Sequence, residues 1–351
     1  MSKDFILIDP RLKHAFASMF LYGLERIFGN RQIKYRISPF RELRHTSVEE
    51  NFDQYLAFIV GKNLRVIVDY RDKSTFNLEA LSWSDIYAKV NFKSTEIEGL
   101  SSDFINKIIP IGPNFGINQW SLLGLYGEFL LNRLRIGFRS DLMVDLRTYM
   151  AGYNWTRRRR RIEDYRVSTS DSGYVFHASR YYTNQSHGAT TNRVRAEFIR
   201  AVRACEGVQF EGGLVGARPG NEEFGDLALR QGYASAVYLN KTARSSVVFN
   251  TPAAWGCNGW KLGEYFALGK AIISTPFVND IPPGVEHGIN IHILDVSLPV
   301  REQVKGLLDD QSYREHLERN ARTYFEDHLE PEKMMAGILE CGRKMAKRVQ
   351  A

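Results

Sequence analysis

The sequence predicts an α/β protein made of two halves, each built on a parallel sheet with helices on both faces. Short apolar runs alternate with amphipathic segments along most of the chain, and this rhythm starts afresh after about residue 166. A length of 351 residues is enough for two such domains, each with its own hydrophobic core. The apolar content of 44% is that of a globular protein.

The first half reads as alternating strands and helices. Predicted strands lie at residues 5–8, 33–37, 64–69, 84–92 and 107–111, and predicted helices at 12–28 and 48–60, followed by a mostly helical stretch at 118–149. The run LRVIVD at 64–69 is the strongest strand signal, because it is apolar and β-branched and ends in polar residues. Alternation of this kind favours a parallel sheet with ligand sites beyond the carboxyl ends of its strands.

The second half repeats the pattern. Its predicted elements are strands at 174–179 and 207–210, a helix at 192–204, strand or strand-flanking pieces at 235–239 and 246–250, and charged helices over 298–351. The expected domains are therefore residues 1–165, residues 166–330 and a terminal helix at 331–351.

The segment GCNGWKLGEYFALGKAIISTP at 256–276 carries the most chemical information. Asn258 and Gly259 can cap a short helix, Gly269 can end it, and residues 271–274 read as a buried strand. Lys261 and Glu264 are three residues apart and so share one face of that helix.

This combination of groups suits a nucleotide sugar. A helix start offers N–H groups and a positive dipole end to phosphate, and a nearby lysine adds a cation. A carboxylate one turn further along the helix can accept hydrogen bonds from both hydroxyls of a ribose. Diphosphate and ribose are the parts that activated sugars share.

The run EYFALGKAIIS resembles the donor-binding helix and strand of glycosyltransferases of the GT-B fold. That resemblance implies two Rossmann-like domains facing a central cleft, with an acceptor domain at 1–165, a donor-binding domain at 166–330 and a terminal helix that can cross back to the first domain. It also implies that Glu264 holds the ribose and that the loop 257–261 faces the diphosphate. Many retaining members carry a second acid about two turns earlier, where this chain reads AWGCN, so the resemblance does not indicate a retaining mechanism.

Three further matches extend the resemblance. The stretch YVFHASRYYTNQ is similar to the first strand and phosphate-facing loop of the donor domain, which implies donor contacts for Arg180. Arg195 on the following helix can reach the same place or lie on the surface, and His177 can touch the diphosphate or pack. In the first half, SDIYAKVNF resembles a bacterial pattern that implies a cleft-facing Lys89.

The net charge of +7 favours an anionic partner, and Arg157 to Arg161 form the densest basic run. Contact with acidic phospholipid or a linker role is favoured over nucleic acid, because no groove-reading motif appears. No apolar run of about 20 residues and no signal peptide is found, so the expectation is a cytoplasmic protein, with the inner face of the membrane as a candidate place of attachment. The three cysteines are widely spaced and imply neither a disulfide framework nor a metal cluster.

The resulting hypothesis is a glycosyltransferase that moves a sugar from a nucleotide-diphosphate donor to a hydroxyl of a glycan or lipid-linked acceptor in cell-surface polysaccharide or glycolipid assembly. The donor is a substrate, and neither a cofactor nor a metal is expected, since no Asp-x-Asp motif lies in a donor-site context. The acceptor base should come from the first domain, where Asp72 is preferred and Asp69 is next. The alternatives are a nucleotide-sugar epimerase of the same fold, or a non-enzymatic binder of nucleic acid or an acidic surface through the arginine run.

Overall fold

The structure is a computed structural model that describes residues 5–44, 55–136, 146–183 and 185–350. Its contacts divide the chain into two compact units. The first unit comprises Met1–Ile162 together with Leu329–Ala351, and the second comprises Glu163–His328. Both units combine helices with sheets in which parallel pairing dominates, so the predicted α/β class is confirmed.

The helices are short or of medium length, and eleven are found among the described residues. They are α1 (His14–Phe28), α2 (Leu78–Trp83), α3 (Ser102–Ile105), α4 (Leu122–Ile136), α5 (Leu146–Thr156), α6 (Gln185–Arg203), α7 (Ser235–Arg244), α8 (Trp260–Ala267), α9 (Val300–Asp309), α10 (Gln311–Tyr324) and α11 (Pro331–Gln350). Helices α1 to α5 and α11 belong to the first unit, and α6 to α10 to the second.

The sheet of the first unit has six strands in its described part. They are β1 (Ile6–Ile8), β2 (Ile33–Tyr35), β3 (Tyr55–Val60), β4 (Leu64–Asp69), β5 (Ile86–Lys89) and β6 (Ile108–Pro110). Their order is β2-β1-β3-β4-β5-β6. Strand β3 is antiparallel to both of its neighbours, whereas the other pairs are parallel.

The predicted helix at 48–60 is wrong over its second half. Residues 45–54 lie outside the described residues, but Tyr55–Val60 forms the inner strand β3, and all six of its residues are buried. A strand covered on both faces has no polar side to reveal a period of two, so its apolar run is easily read as part of a helix.

Helix α11 packs on helix α1 and reaches strand β5, and two glycines permit this close approach. A side chain at Gly23 of α1 would place its Cβ 2.2 Å from the carbonyl oxygen of Pro331. At Gly342 of α11 a Cβ would lie 1.9 Å from Cδ1 of Ile86. Residues that follow the second unit in the chain therefore complete the core of the first.

The second unit contains six strands within its described residues. They are β7 (Tyr174–Arg180), β8 (Gln209–Val215), β9 (Ala228–Leu229), β10 (Val248–Asn250), β11 (Ile272–Ser274) and β12 (His292–Ile293). They form two three-stranded parallel sheets, β7-β8-β9 and β10-β11-β12. The two sheets meet at β7 and β10, where the amide of Ser246 donates to the carbonyl of Tyr174 at 2.8 Å.

The strand order of the second unit is therefore β9-β8-β7-β10-β11-β12. Counted from the start of the unit, this order is third, second, first, fourth, fifth and sixth, which is that of the doubly wound dinucleotide-binding fold. From the junction between β7 and β10, successive strands are added towards one edge of the sheet as β8 and β9 and towards the other edge as β11 and β12. In such sheets ligands bind beyond the carboxyl ends of the strands at this switch point.

One element of the second unit differs from prediction, since residues 235–239 begin helix α7 and do not form a strand. The run SAVYL favours a strand locally, but Leu239 and Thr242, three residues apart, are both buried on one face of the helix. The predicted helix and strand of the 256–276 segment are confirmed as α8 and β11, and Gly269 between them has a φ of 60°, in the left-handed region.

Candidate functional site

The residues predicted to bind the donor come together at the switch point of the second unit. Helix α8 starts at Trp260 after the loop that follows β10, and α6 follows the loop after β7. Gly259 is the N-cap residue of α8, with an extended conformation and no side-chain cap. Asn258 and Gly259, both partly buried, form the last part of the loop that leads into this helix start.

Lys261 points from the first turn of α8 towards the carboxyl end of β7. Its Nζ donates a hydrogen bond to the carbonyl oxygen of Ala178 and lies 5.5 Å from the ring centroid of Tyr238. The pKa of Lys261 is lowered to about 7, first by burial and then by the nearby positive charge of Arg195, while Glu264 acts in the opposite direction. The charged ammonium form of Lys261 is therefore disfavoured at this position unless an anion binds nearby.

Arg195 is only 6% exposed and bridges the two strands of the switch point. Its Nε donates to Oγ1 of Thr251 at 3.0 Å, just after β10, and its Nη1 donates to the carbonyl of Arg180 at 2.9 Å, at the end of β7. The guanidinium also lies over the ring of Tyr182, with Cζ 5.0 Å from the ring centroid. Burial lowers the pKa of Arg195.

Glu264 lies one turn beyond Lys261 on the same face of α8, as predicted, and is partly buried. Its Oε1 accepts a hydrogen bond of 3.0 Å from the hydroxyl of Tyr165, a residue that is itself buried. Tyr165 is fixed in turn, because Nη1 of Arg322 donates to its carbonyl oxygen at 3.0 Å. The carboxylate of Glu264 is thus held in a defined orientation, and its charge acts on the nearby ammonium group of Lys261.

His177 and Arg180 have different environments although both belong to β7. The ring of His177 is buried against Phe198 and Phe249, and its Nε2 lies 3.1 Å from Oγ of Ser179. Burial, followed by the charges of Lys261 and Arg195, lowers the pKa of His177 well below its usual value. His177 is therefore neutral and enclosed by aromatic rings, whereas the side chain of Arg180 is exposed at the strand end.

A pocket of about 580 Å³ adjoins these groups. Its walls come from the start of α6, from the loop after β10 and from the segment after β11, and include Thr191, Thr251, Trp255 and Thr275. Oγ1 of Thr275 is buried and has no hydrogen-bond partner within the described residues. Trp255 has a φ of 61°, which non-glycine residues seldom adopt, and such backbone strain occurs preferentially at binding sites.

In the first unit, Asp69 lies at the end of β4 within a buried ion-paired cluster. Lys89 donates to its Oδ2 at 3.0 Å, Arg71 donates to the same oxygen at 2.9 Å, and the hydroxyl of Tyr87 donates at 2.5 Å. Burial by itself raises the pKa of Asp69, but the charges of Lys89 and Arg71 outweigh this and hold the pKa at about 2. A carboxylate whose ionised form is stabilised in this way is a poor proton acceptor.

The expectation that Lys89 faces a cleft is wrong, because its side chain is fully buried. Its Nζ donates to Asp69 and also to the carbonyl oxygen of Lys73 at 2.7 Å. Asp72, in contrast, is exposed just beyond the same strand end. In the part of the chain that the structure describes, no group of three or more His, Cys, Asp or Glu side chains is arranged to hold a metal ion.

Several residues of the site could not be identified from the sequence. Tyr165, Tyr238 and Thr251 are brought to Glu264, Lys261 and Arg195 only by the tertiary fold. The placement of Lys261 and Glu264 on one face could be predicted, because residues three apart in a helix lie about one turn from each other.

No family model and no curated protein matches the chain. Similar solved structures include a glycosyltransferase from Rickettsia africae, with 11% identity and a TM-score of 0.42 over 75% of this chain and 64% of that one. HepE from Anabaena in complex with UDP and glucose has 14% identity and a TM-score of 0.38 over 78% of this chain and 65% of that one. Sucrose-phosphate synthase from Thermosynechococcus elongatus has 11% identity and a TM-score of 0.39 over 75% and 68%. The chain thus spans less than two thirds of the first two structures, and proteins named as glycosyltransferase and sucrose-phosphate synthase are among those it resembles.

Proposed function

We propose that the second unit binds the diphosphate of a nucleotide sugar and that the protein transfers the sugar to a hydroxyl acceptor. The observation that carries this proposal is a pair of cations at the switch point, the partly buried Lys261 and the buried Arg195, with the charge of Arg195 lowering the pKa of Lys261. Two like charges in a poorly solvated place need a compensating anion. A diphosphate at the start of α8 supplies it.

The arrangement of the neighbouring groups supports a nucleotide in particular. Glu264 offers a carboxylate that Tyr165 orients, and one turn of helix separates it from Lys261. A carboxylate at this distance from a phosphate site suits the vicinal hydroxyls of ribose. The exposed side chain of Arg180 and the loop at Asn258 and Gly259 complete the proposed diphosphate site.

The sugar itself is assigned to the pocket beside Thr251 and Thr275. Hydroxyl groups and an aromatic ring are the common means of holding a carbohydrate, and the pocket offers both through its threonines and Trp255. The buried Oγ1 of Thr275 can donate to a sugar hydroxyl or accept from one.

In the proposed reaction, the bond between the anomeric carbon and the phosphate oxygen breaks and its electron pair leaves with the nucleoside diphosphate. Lys261, Arg180 and the helix start stabilise this developing charge without a metal. The acceptor oxygen forms the new bond to carbon, and its proton passes to a carboxylate, for which we propose Asp72 because it is exposed whereas Asp69 is fully buried. The acceptor class we propose is a glycan or lipid-linked glycan of the cell surface.

The test is thermal unfolding of the protein with a panel of nucleoside diphosphates, followed by product analysis with the matching nucleotide sugar. A ligand that binds only the folded protein raises the melting temperature, and the shift grows with the logarithm of ligand concentration over the dissociation constant. We expect a shift that Lys261→Met removes and that Lys62→Met, an exposed lysine of the first unit, leaves intact. The absence of any shift contradicts the donor site, whereas a rearranged donor formed without acceptor identifies an epimerase.

A further inference from the structure

Helix α4 of the first unit presents an apolar face to its surroundings. Among residues 122–134, every side chain that is classed as exposed is a leucine or a tyrosine. These residues and their exposed fractions are Leu122 (43%), Leu123 (85%), Tyr126 (41%), Leu130 (58%), Leu131 (43%) and Leu134 (72%). This pattern is the reverse of an ordinary surface helix, in which the outward face is polar. We call these six side chains the apolar face of α4.

The orientation of α4 is fixed by polar contacts on its inner side. Asn132 is buried, and its Oδ1 accepts from the amide of Tyr35 at 2.9 Å while its Nδ2 donates to the same residue's carbonyl at 3.3 Å. Glu128 accepts from Nδ2 of Asn30 at 3.0 Å. Rolling the helix to bury its leucines would break these contacts. The exposure of the apolar face is therefore fixed by contacts within the first unit.

The arginine run lies next to this helix. Helix α5 packs against α4 and leads directly into residues 157–161. The amide of Asn118, shortly before α4 begins, donates to the carbonyl oxygen of Arg160 at 2.8 Å and so ties the run to the entry of α4. Trp155, at the end of α5, is 71% exposed.

We propose that the apolar face of α4 and the arginine run form a surface that binds bilayers containing acidic phospholipids. Leucine and tryptophan side chains enter the boundary between headgroups and acyl chains, and the guanidinium groups bind lipid phosphates. A second copy of the chain that met this surface with its own would bring a second arginine run against the first, whereas an anionic bilayer supplies compensating charge. This surface lies within the first unit and does not depend on the donor site of the second.

The test is co-sedimentation of the protein with phosphatidylcholine vesicles that contain or lack phosphatidylglycerol. Wild-type protein should bind the anionic vesicles and bind the neutral ones far less. The double variant Arg157→Gln/Arg158→Gln should weaken binding about 25-fold, because each basic residue near an anionic surface contributes roughly fivefold. The triple variant Leu123→Gln/Leu130→Gln/Leu134→Gln should abolish binding that persists at high salt.

Matched controls separate these effects from charge and from unfolding. Arg218→Gln/Arg230→Gln removes the same charge from exposed positions of the second unit, and Leu78→Gln replaces a leucine that is 55% exposed on α2. Both should bind vesicles like wild type, and all variants should unfold at the wild-type temperature and keep any shift caused by a nucleotide.

Two outcomes overturn the proposal. One is wild-type protein that stays in the supernatant with anionic vesicles at low salt. The other is a wild-type dimer, detected by light scattering, that the leucine variant dissociates while vesicle binding is unchanged, which would assign the apolar face to a second copy.

Discussion

Nε of Arg195 donates a hydrogen bond of 3.0 Å to Oγ1 of Thr251, and the same guanidinium reaches the carbonyl of Arg180 at 2.9 Å. One side chain on α6 thus joins the ends of β7 and β10, the two strands at the switch point of the strand order. Because the bridge is made by a cation, the position that secures the fold also attracts an anion.

Arg195→Lys should therefore affect both stability and binding. An ammonium group cannot serve two acceptors in the fork geometry of a guanidinium, so the free energy of unfolding should fall by about 1–3 kcal/mol. Affinity for a nucleoside diphosphate should fall as well. Urea unfolding and calorimetric titration measure the two effects. Arg193→Lys, an exposed position on the same helix, is the control, and equal behaviour of the two variants would contradict the bridging role.

Nucleotide affinity should depend on pH through Lys261. Its pKa in the free protein is about 7, lowered first by burial and then by Arg195, so above this pH the amine is mostly neutral. A bound diphosphate favours the ammonium form, and binding then takes up a proton. The dissociation constant should accordingly rise with pH above about 7, by up to about tenfold per unit. Titration in buffers of different ionisation enthalpy detects the proton, and Lys261→Met should abolish its uptake.

Glu264→Gln tests the ribose contact. Loss of a charged acceptor costs roughly 1.5–3 kcal/mol per hydrogen bond, so affinity for a nucleoside diphosphate should fall by about tenfold or more. Affinity for inorganic pyrophosphate, which has no ribose, should not fall. Glu197→Gln, at an exposed position of α6, should change neither value. An equal loss for both ligands would mean that Glu264 acts on the phosphates and not on the sugar.

Asp69→Asn should destabilise the first unit by about 3–5 kcal/mol, because it leaves the buried Lys89 and Arg71 without their anion. The pKa of Asp69 in the folded protein is about 2, below its ordinary value of 3.8. The stabilisation is thus present above pH 3.8 and is lost as the pH falls through 2. Urea unfolding at several pH values measures this. Addition of Lys89→Met to Asp69→Asn should restore part of the stability.

Asp72→Asn should leave stability nearly unchanged, because the side chain is exposed. Turnover with donor and acceptor should fall by roughly 100-fold or more if this carboxylate accepts the acceptor proton, while donor affinity stays the same. Steady-state kinetics and donor titration separate the two quantities. Retained turnover in this variant would remove Asp72 from the mechanism.

The parts of the fold that follow local rules were predictable from the sequence. Strand β4 has the predicted bounds, and the helix and strand around Gly269 follow from a glycine that can adopt positive φ. Strand β3 was missed because complete burial removes the polar positions that define a period. Helix α7 was missed because its register is set by packing of Leu239 and Thr242, which outweighs local strand preference.

The candidate site also contains residues whose placement follows from local spacing and residues whose placement depends on the tertiary fold. Lys261 and Glu264 were found because three residues of helix fix their relative positions. The contact of Arg195 with Thr251 joins residues 56 positions apart, and the contact of Lys89 with Asp69 joins neighbouring parallel strands. Pairings of this kind depend on the sheet order, which the periodicity of single segments does not determine. Lys89 was consequently expected in a cleft, although it neutralises a buried acid.

The packing of α11 on α1 and β5 has a consequence for biosynthesis. Residues 163–328 are contiguous, so the second unit can acquire its structure while translation continues, whereas the first unit must wait with Gly23 and Ile86 uncovered until α11 has left the ribosome. Of the two units, the one that begins earlier along the chain is therefore completed later, and a molecular chaperone has its clearest opportunity during that interval.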